Sequence, residues 1–512
     1  MNASDAVEPL ASAVPCSEGE RRWTLVAAIL GSGMAFADGT IVNVALPAIQ
    51  QAMQATAADA QWVIESYALL VSALLLVGGV LGDRFGRRRM FALGAIVFTL
   101  ASLACAVSPV VSALIVARGV QGLGAALLVP GSLSLITSAY PKERRGRAIG
   151  TWSAFSGVTA AIGPVLGGFL VEHLSWHWAF LINLPLGVAL VAICQWRVPE
   201  SHGADAGRID VAGAVLATLG LAGVVYALIE APQRGWFAPA VVGAGIVGVA
   251  ALLAFVIAER RTATPMLPLT HFRDRNFSGA NLLTFLLYAS LGGSMYFVPL
   301  NLIQVQGYGA TAAGASLLPF VIIMFALSRF AGRLVDLVGA RLPLIVGPAV
   351  AAAGFALYAV PGVGGSYWIT FFPASVVLGL GMSITIAPLT TTVMNALDPS
   401  LAGTASGVNN AVSRVAGLIA IAVFGVLLTH GFDAALQSSL ASMHLPRESV
   451  ETIMAQRARL AGIELPPGAE AARRAVAESF VTGFRQVMIL SAILAVLSAL
   501  VSAVMIRDKP GR

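Results

Sequence analysis

Apolar runs long enough to cross a membrane recur along almost the whole of this chain. A span needs about 20 mostly apolar residues. Fourteen segments meet that need, near 23–48, 60–81, 89–108, 112–139, 148–171, 178–197, 211–230, 238–258, 278–303, 313–337, 341–360, 367–394, 404–429 and 484–506. Composition agrees: charged residues are 11% of the chain, against about 25% in a soluble globular protein. Water around such a chain would meet too few polar groups, so it is read as an all-α integral membrane protein. The first run, after Arg21 and Arg22, is as long as a full span and is read as one rather than as a leader.

Basic residues set the expected orientation. They concentrate in every second loop, at 84–89, 142–147, 260–275 and 333–341, and at both ends of the chain. The short loops between hold one, Arg234. Both termini are therefore expected on the cytoplasmic side of the cell membrane. The net charge of +6 is scattered in these loops and does not indicate nucleic acid. Cys16, Cys105 and Cys194 lie far apart with no metal-ligand spacing, so neither a metal nor a disulfide framework is implied.

The chain also repeats itself. GVLGDRFGRR at 79–88 and GRLVDLVGAR at 332–341 share Gly, Leu, Asp, Gly and Arg at five matching places, 253 residues apart. GLG at 122–124 and at 379–381 keeps a similar offset. Two related six-helix halves follow, as in transporters built from parallel repeats. The expected divisions are a tail at 1–22, a first half at 23–200, a two-helix insert at 201–262, and a second half at 263–512. The second half carries a long extracytoplasmic loop at 430–483, expected to hold short surface helices broken at Pro466 and Pro467.

Three motifs carry chemistry. In the first, Gly86 supplies a turn that other residues resist. Asp83 can cap a helix or pair with an arginine of a neighbouring helix. With Gly79, Arg84, Arg87 and Arg88, and with Asp336, Gly339 and Arg341 in the second copy, it is read as a gating loop. In the second, RGVQGLGAA (118–126) places Arg118 about two turns inside its span with Gln121 on the same face. An arginine there faces the protein interior and has a partner. In the third, SGVTAAIGPVLGGFL (156–170) sets Gly157, Pro164 and Gly168 on one face, beside the pair Gly163 and Gly167. Small residues let backbones approach closely, and this seam is read as closing one side of a pathway.

These motifs, with DGTIVNVALP and WHWAFLINLP, resemble those of the major facilitator superfamily, in particular its fourteen-span drug:proton antiporter branch of the EmrB/QacA type. The resemblance implies the major facilitator fold with 14 transmembrane helices (6+2+6). It also implies export of drugs or other amphiphilic molecules against proton entry, with Asp38 and Arg118 in proton coupling. Three features depart from the family pattern: His177 stands where arginine is usual, Glu65 stands near a usual threonine, and the later spans lack acids.

Asp38 lies near the middle of its span. Desolvation there favours the protonated acid, while a nearby arginine favours the carboxylate. A helix that moves between two environments can switch which wins, so Asp38 is read as the main coupling group, tuned by Arg118. Glu65, Asn43 and Gln121 are further candidates for substrate or proton binding. Glu65 lies about one turn inside span two and is expected to be solvated at the outer interface; lining the cavity instead, it would favour cations. Glu230 is read as interfacial and His177 as structural.

Pumping needs a driving force. Neither lysine follows a glycine, so the chain has no nucleotide-binding P-loop. One charge moved through 100 mV supplies about 2.3 kcal/mol, which an ion gradient can provide. No cofactor is implied, and the partners are a small-molecule substrate, protons and lipid. A membrane enzyme is disfavoured by the absence of HExxH and GxSxG, and a channel by the paired halves with gating loops. An exporter of one natural product, lipid or siderophore is the competing reading.

Overall fold

The computed structural model describes residues 16–202, 210–262, 265, 269–324, 326–327, 338–397, 402–443, 447–465 and 468–507. Their regular structure is helical, as it must be where no water is present to satisfy a free backbone group. The first half holds α1 (Glu18–Met53), α2 (Ala57–Phe85), α3 (Arg87–Ala106), α4 (Val111–Ala139), α5 (Lys142–His173) and α6 (Trp178–Arg197). Next come α7 (Val211–Arg234) and α8 (Pro239–Arg261). The second half holds α9 (Arg275–Val305), α10 (Ala310–Met324), α11 (Arg341–Tyr358), α12 (Tyr367–Ala396), α13 (Ala402–Ser442), the short α14 (Arg447–Ala455) and α15 (Glu470–Met505).

Local chemistry fixes several helix starts. Ser17 with Glu20, and Thr56 with Asp59, form reciprocal capping boxes that satisfy the first free amides of α1 and α2. Asp210 and Asp274 cap α7 and α9 from their side chains. Eleven described helices are long and apolar enough to cross a membrane, twelve when the bent α2 is taken as one. Each segment expected to span lies on helix, the one at 313–337 only as far as it is described. Exposed Leu100, Val116, Ile246, Leu253 and Ile369 show that apolar surface faces outward. α8 is the extreme case, with only 17% of its most apolar stretch buried.

The two halves repeat in their packing. α1 packs on α5, α3 on α4 and α3 on α6; in the second half α9 packs on α13, α11 on α12 and α11 on α15. α7 and α8 pair with each other, and α7 lies along α2 and α13.

The two ends of the described chain, near Arg21 and Arg507, lie on one face of the bundle. Tyr140 at the end of α4 donates to the Arg21 carbonyl near the start of α1, and Asn276 at the start of α9 donates to the Arg507 carbonyl. The far end of α9 meets the far end of α1, where Gln304 donates to Gln50 at 3.0 Å. We refer to these as the terminal face and the opposite face. The large apolar core that joins the halves takes Ile41, Val42, Ala45, Leu46 and Ile49 from the opposite-face end of α1. Nearer the terminal face, Ala27, Met34 and Ala35 belong to a core confined to the first half. The described contacts between halves therefore gather at the opposite face.

The segment expected as a long loop at 430–483 is mostly helix. Residues 430–442 continue α13 and 470–483 begin α15. Between them Ile453, Leu460 and Ile463 are buried, and Arg459 donates to Gln54 at the end of α1. The segment packs across the opposite face because its apolar positions find partners there. Pro466 and Pro467 lie outside the described residues.

Candidate functional site

Asp38 is fully buried, and two other helices, α4 and α6, aim three donors at it. One carboxylate oxygen accepts from the Gln121 amide at 2.8 Å and from the Asn183 amide at 3.1 Å. The other accepts from Nη1 of Arg118, which is equally buried. Arg118 Nη1 also reaches Gln121 Oε1 at 2.6 Å, and its Nε donates to the Val63 carbonyl at 2.9 Å. Ser102 Oγ accepts from both Gln121, at 2.8 Å, and Asn183, at 3.3 Å. The guanidinium lies 4.3 Å from the centre of the Tyr67 ring, whose hydroxyl donates to the Ala35 carbonyl. Phe180 covers it at 5.8 Å.

Each contributor follows from helix geometry. Arg118 and Gln121 are three residues apart and share a face of α4. Ser102 on α3 and Asn183 on α6 close the ring. Burying two charges is costly unless the pair is well made and its remaining groups are bonded. Asp38 meets that condition, with three donors on two oxygens. Arg118 does not quite, because its Nη2 has no hydrogen-bond partner among the described residues.

The sequence brought Asp38, Arg118 and Gln121 into view, and the structure places them in contact. It does not bring Asn43 into the network: Asn43 is half-buried and its Oδ1 lacks a partner among the described residues. Glu65 differs from expectation. It is 0% exposed, not solvated, and neither carboxylate oxygen has a hydrogen-bond partner among the described residues. Its helix face lies inside the contact between halves, so one turn of depth did not bring it to water. Ser102, Asn183 and Tyr67 were missed. Asn183, a lone amide within FLINLP, carried a signal, since polar groups inside spans are costly and seldom idle. Arg414 was missed too; it sits within α13, half-buried and near Tyr67.

The gating-loop residues form a tight turn. Gly86 has φ +104°, open only to glycine. Asp83 pairs with Arg87, which opens α3, at 2.7 Å. The Arg88 amide donates to Glu200 at 3.0 Å, its guanidinium donates to the Val198 carbonyl beyond α6 at 3.3 Å, and Arg89 faces Glu200 at 3.6 Å. Arg84 is exposed beside Phe85, and Gly79 has Pro130 at ordinary contact distance. In the second copy Gly339 has φ +79°, and Arg341 donates to the Ala503 carbonyl of α15 at 2.7 Å. Asp336 lies outside the described residues. Arg88 and Arg341, matched in sequence, thus each bind the last helix of their half, or the residue just beyond it. Glu200, which anchors the first turn, was not foreseen.

The glycine-proline helix α5 is packed on both sides. A Cβ at Gly163 would stand 2.0 Å from Thr40 Oγ1, and one at Gly167 3.0 Å from the Ile41 backbone, both on α1. Across the halves, a Cβ at Gly168 would stand 2.3 Å from the Ala310 carbonyl oxygen. One at Gly314 would meet the Pro164 carbonyl oxygen at 2.0 Å. Nearby, Glu172 accepts from the Thr311 amide at 3.0 Å. Gly157 lies on the same helix. His177 stacks on Trp176, and Glu230 accepts from Trp62 and pairs with Arg234.

Two packed helical halves that meet at one face, with an acid–arginine pair buried beside the meeting surface, define a multi-pass membrane transporter. The sequence profile of the Major Facilitator Superfamily matches residues 28–421, and the chain belongs to that superfamily. It is 34% identical to the multidrug resistance protein Stp of Mycobacterium tuberculosis, over 81% of this chain and 78% of that one. It is also 34% identical to the tetracenomycin C resistance and export protein of Streptomyces glaucescens, over 83% and 80%. With the puromycin resistance protein of Streptomyces alboniger it shares 34% over 83% and 86%. Among solved structures, a bacterial homologue of the human lysosomal transporter Spinster superposes with TM-score 0.68 at 17% identity, covering 96% of this chain and 98% of that one. The xylose transporter XylE of E. coli does so with TM-score 0.58 at 14% identity, over 96% and 99%.

Proposed function

We propose that this chain is a proton-coupled secondary active exporter of drugs or other amphiphilic small molecules across the cytoplasmic membrane. It belongs to the fourteen-span EmrB/QacA branch and keeps both termini in the cytoplasm. The observation that carries the reading is Asp38, a sealed carboxylate held by three donors from two other helices beside the surface where the halves meet. When that surface parts, the donors and the access of water change together, and a proton can exchange. Arg118 holds the ionised form in place, and Gln121, Ser102 and Asn183 set its geometry. The gating loops brace each half, and the α5 seam seals the opposite face. Asp336 takes the place of Asp83 in the second loop.

The test is transport in vesicles with an imposed acid gradient. Wild-type protein moves a substrate only with the gradient, and Asp38→Asn protein, folded in the membrane, does not. Gradient-driven transport by Asp38→Asn at the wild-type rate would refute the assignment. A narrower reading, export of a single natural product as self-resistance, draws support from the two Streptomyces relatives named for tetracenomycin C and puromycin. A resistance panel in an efflux-deficient host separates them, since a narrow exporter protects against one compound class.

A further inference from the structure

Glu65 is a buried acid that the Asp38 network does not use. On α2 it sits about 200° around the helix from both Val63 and Tyr67, the residues that serve Arg118. It therefore faces away from that network, toward the second half. One turn before it, Gln61 lies against α13 so closely that a Cβ on Gly425 would stand 1.7 Å from its amide nitrogen. One turn after it, Leu69 shares a small core with Leu418 and Ala422 of α13. Glu65 thus lies in the seam between α2 and α13, within electrostatic reach of Tyr296 on α9.

Other charged or titratable groups on the surrounding helices stand apart. Arg414 lies further along α13 toward the terminal face, near Tyr67. Glu230 and Tyr226 of α7 pack around Trp62. Asp38 and Arg118 bond to each other on the far flank of α2. None of them bonds to Glu65, whose two oxygens are sealed and unpartnered among the described residues. An ionised carboxylate held so costs far more than a protonated one.

We propose that Glu65 is a proton-operated latch on the seam between the halves. The seam closes only when the carboxylate has bound a proton, taken from the solution at the opposite face while the seam is parted. Opening the seam returns the acid to water, where the proton leaves and the resulting charge resists reclosure. This rests on the reading of the chain as a transporter that opens at either face, but not on Asp38 being its coupling group.

The experiment uses full-length protein in lipid nanodiscs with its native cysteines replaced. Spin labels go on Leu174→Cys and Val363→Cys, exposed positions at the opposite face of the two halves. The label distance is read from acidic to alkaline buffer. Wild-type protein gains a long-distance population as pH rises. Glu65→Gln lowers that alkaline population about tenfold or more and flattens its pH dependence, and Asp38→Asn leaves the pH dependence in place. Glu65→Ala, which has no amide to seat, is run beside it and gives the same flat response. A pH response in either neutral variant equal to wild type, or none in wild type, overturns the latch. Loss of gradient-driven transport in Asp38→Asn with no latch response would overturn the latch alone.

Discussion

Asp38 and Glu65 are two acids equally shut off from solvent, and they differ in what surrounds them. Asp38 receives an arginine and two amides; Glu65 receives no hydrogen bond from the described residues. Both sit in apolar spans, and both would be flagged by the rule that ionisable groups inside a membrane mark function. The contrast shows that burial alone does not assign a role. Asp38 is held by a bonded network inside one half. Glu65 is built into a surface that exists only while two halves touch.

That contrast can be broken experimentally, most forcefully at Arg118. Replacing it with alanine leaves Asp38 charged and sealed, which costs about 3–5 kcal/mol in comparable buried pairs. We expect poor accumulation in the membrane and no transport, read by fluorescence-detected size exclusion and vesicle flux. Were this variant stable and active, the network would not be what holds Asp38. Next in size is Gly314→Val, which drives a side chain into the Pro164 carbonyl. The expected outcome is a longer distance between spin labels at the opposite face and a strong loss of export, with each half still folded. Gln121→Ala should act more mildly. It removes a donor to Asp38 and an acceptor for Arg118, and leaving such groups unsatisfied costs about 1–3 kcal/mol. Thermal stability should fall, and transport should decline without vanishing. The smallest effect is expected at His177, which only stacks on Trp176 and faces Ser175. His177→Gln should shift stability within about 0.5 kcal/mol and leave the pH profile of transport unchanged.

Much of the fold was legible because lipid simplifies the code. Apolar runs of span length become helices, and the five-residue match between the loops at 79–88 and 332–341 announced paired halves, which recur in the packing. Asp38, Arg118 and Gln121 were legible for the same reason: costly residues in spans stand out. Ser102 was not, because a serine in a helix more often bonds to its own backbone. Glu65 was visible but misplaced. Its depth along the helix could be counted, whereas the helix it faces comes from the other half, some 350 residues away in the chain. Short helices were expected in the region 430–483, but not that its two ends continue α13 and α15, because polar residues there sit on helices that extend beyond the apolar core.

The matched arginines have a mechanical consequence. Arg88 ties the start of α3 to the end of α6, and Arg341 ties the start of α11 to α15. On the proposed reading, these struts let each half move as a unit about the surface where it touches its twin. Proton binding within a half, if it drives transport as proposed, would then act at that shared edge rather than in the flexing of single helices.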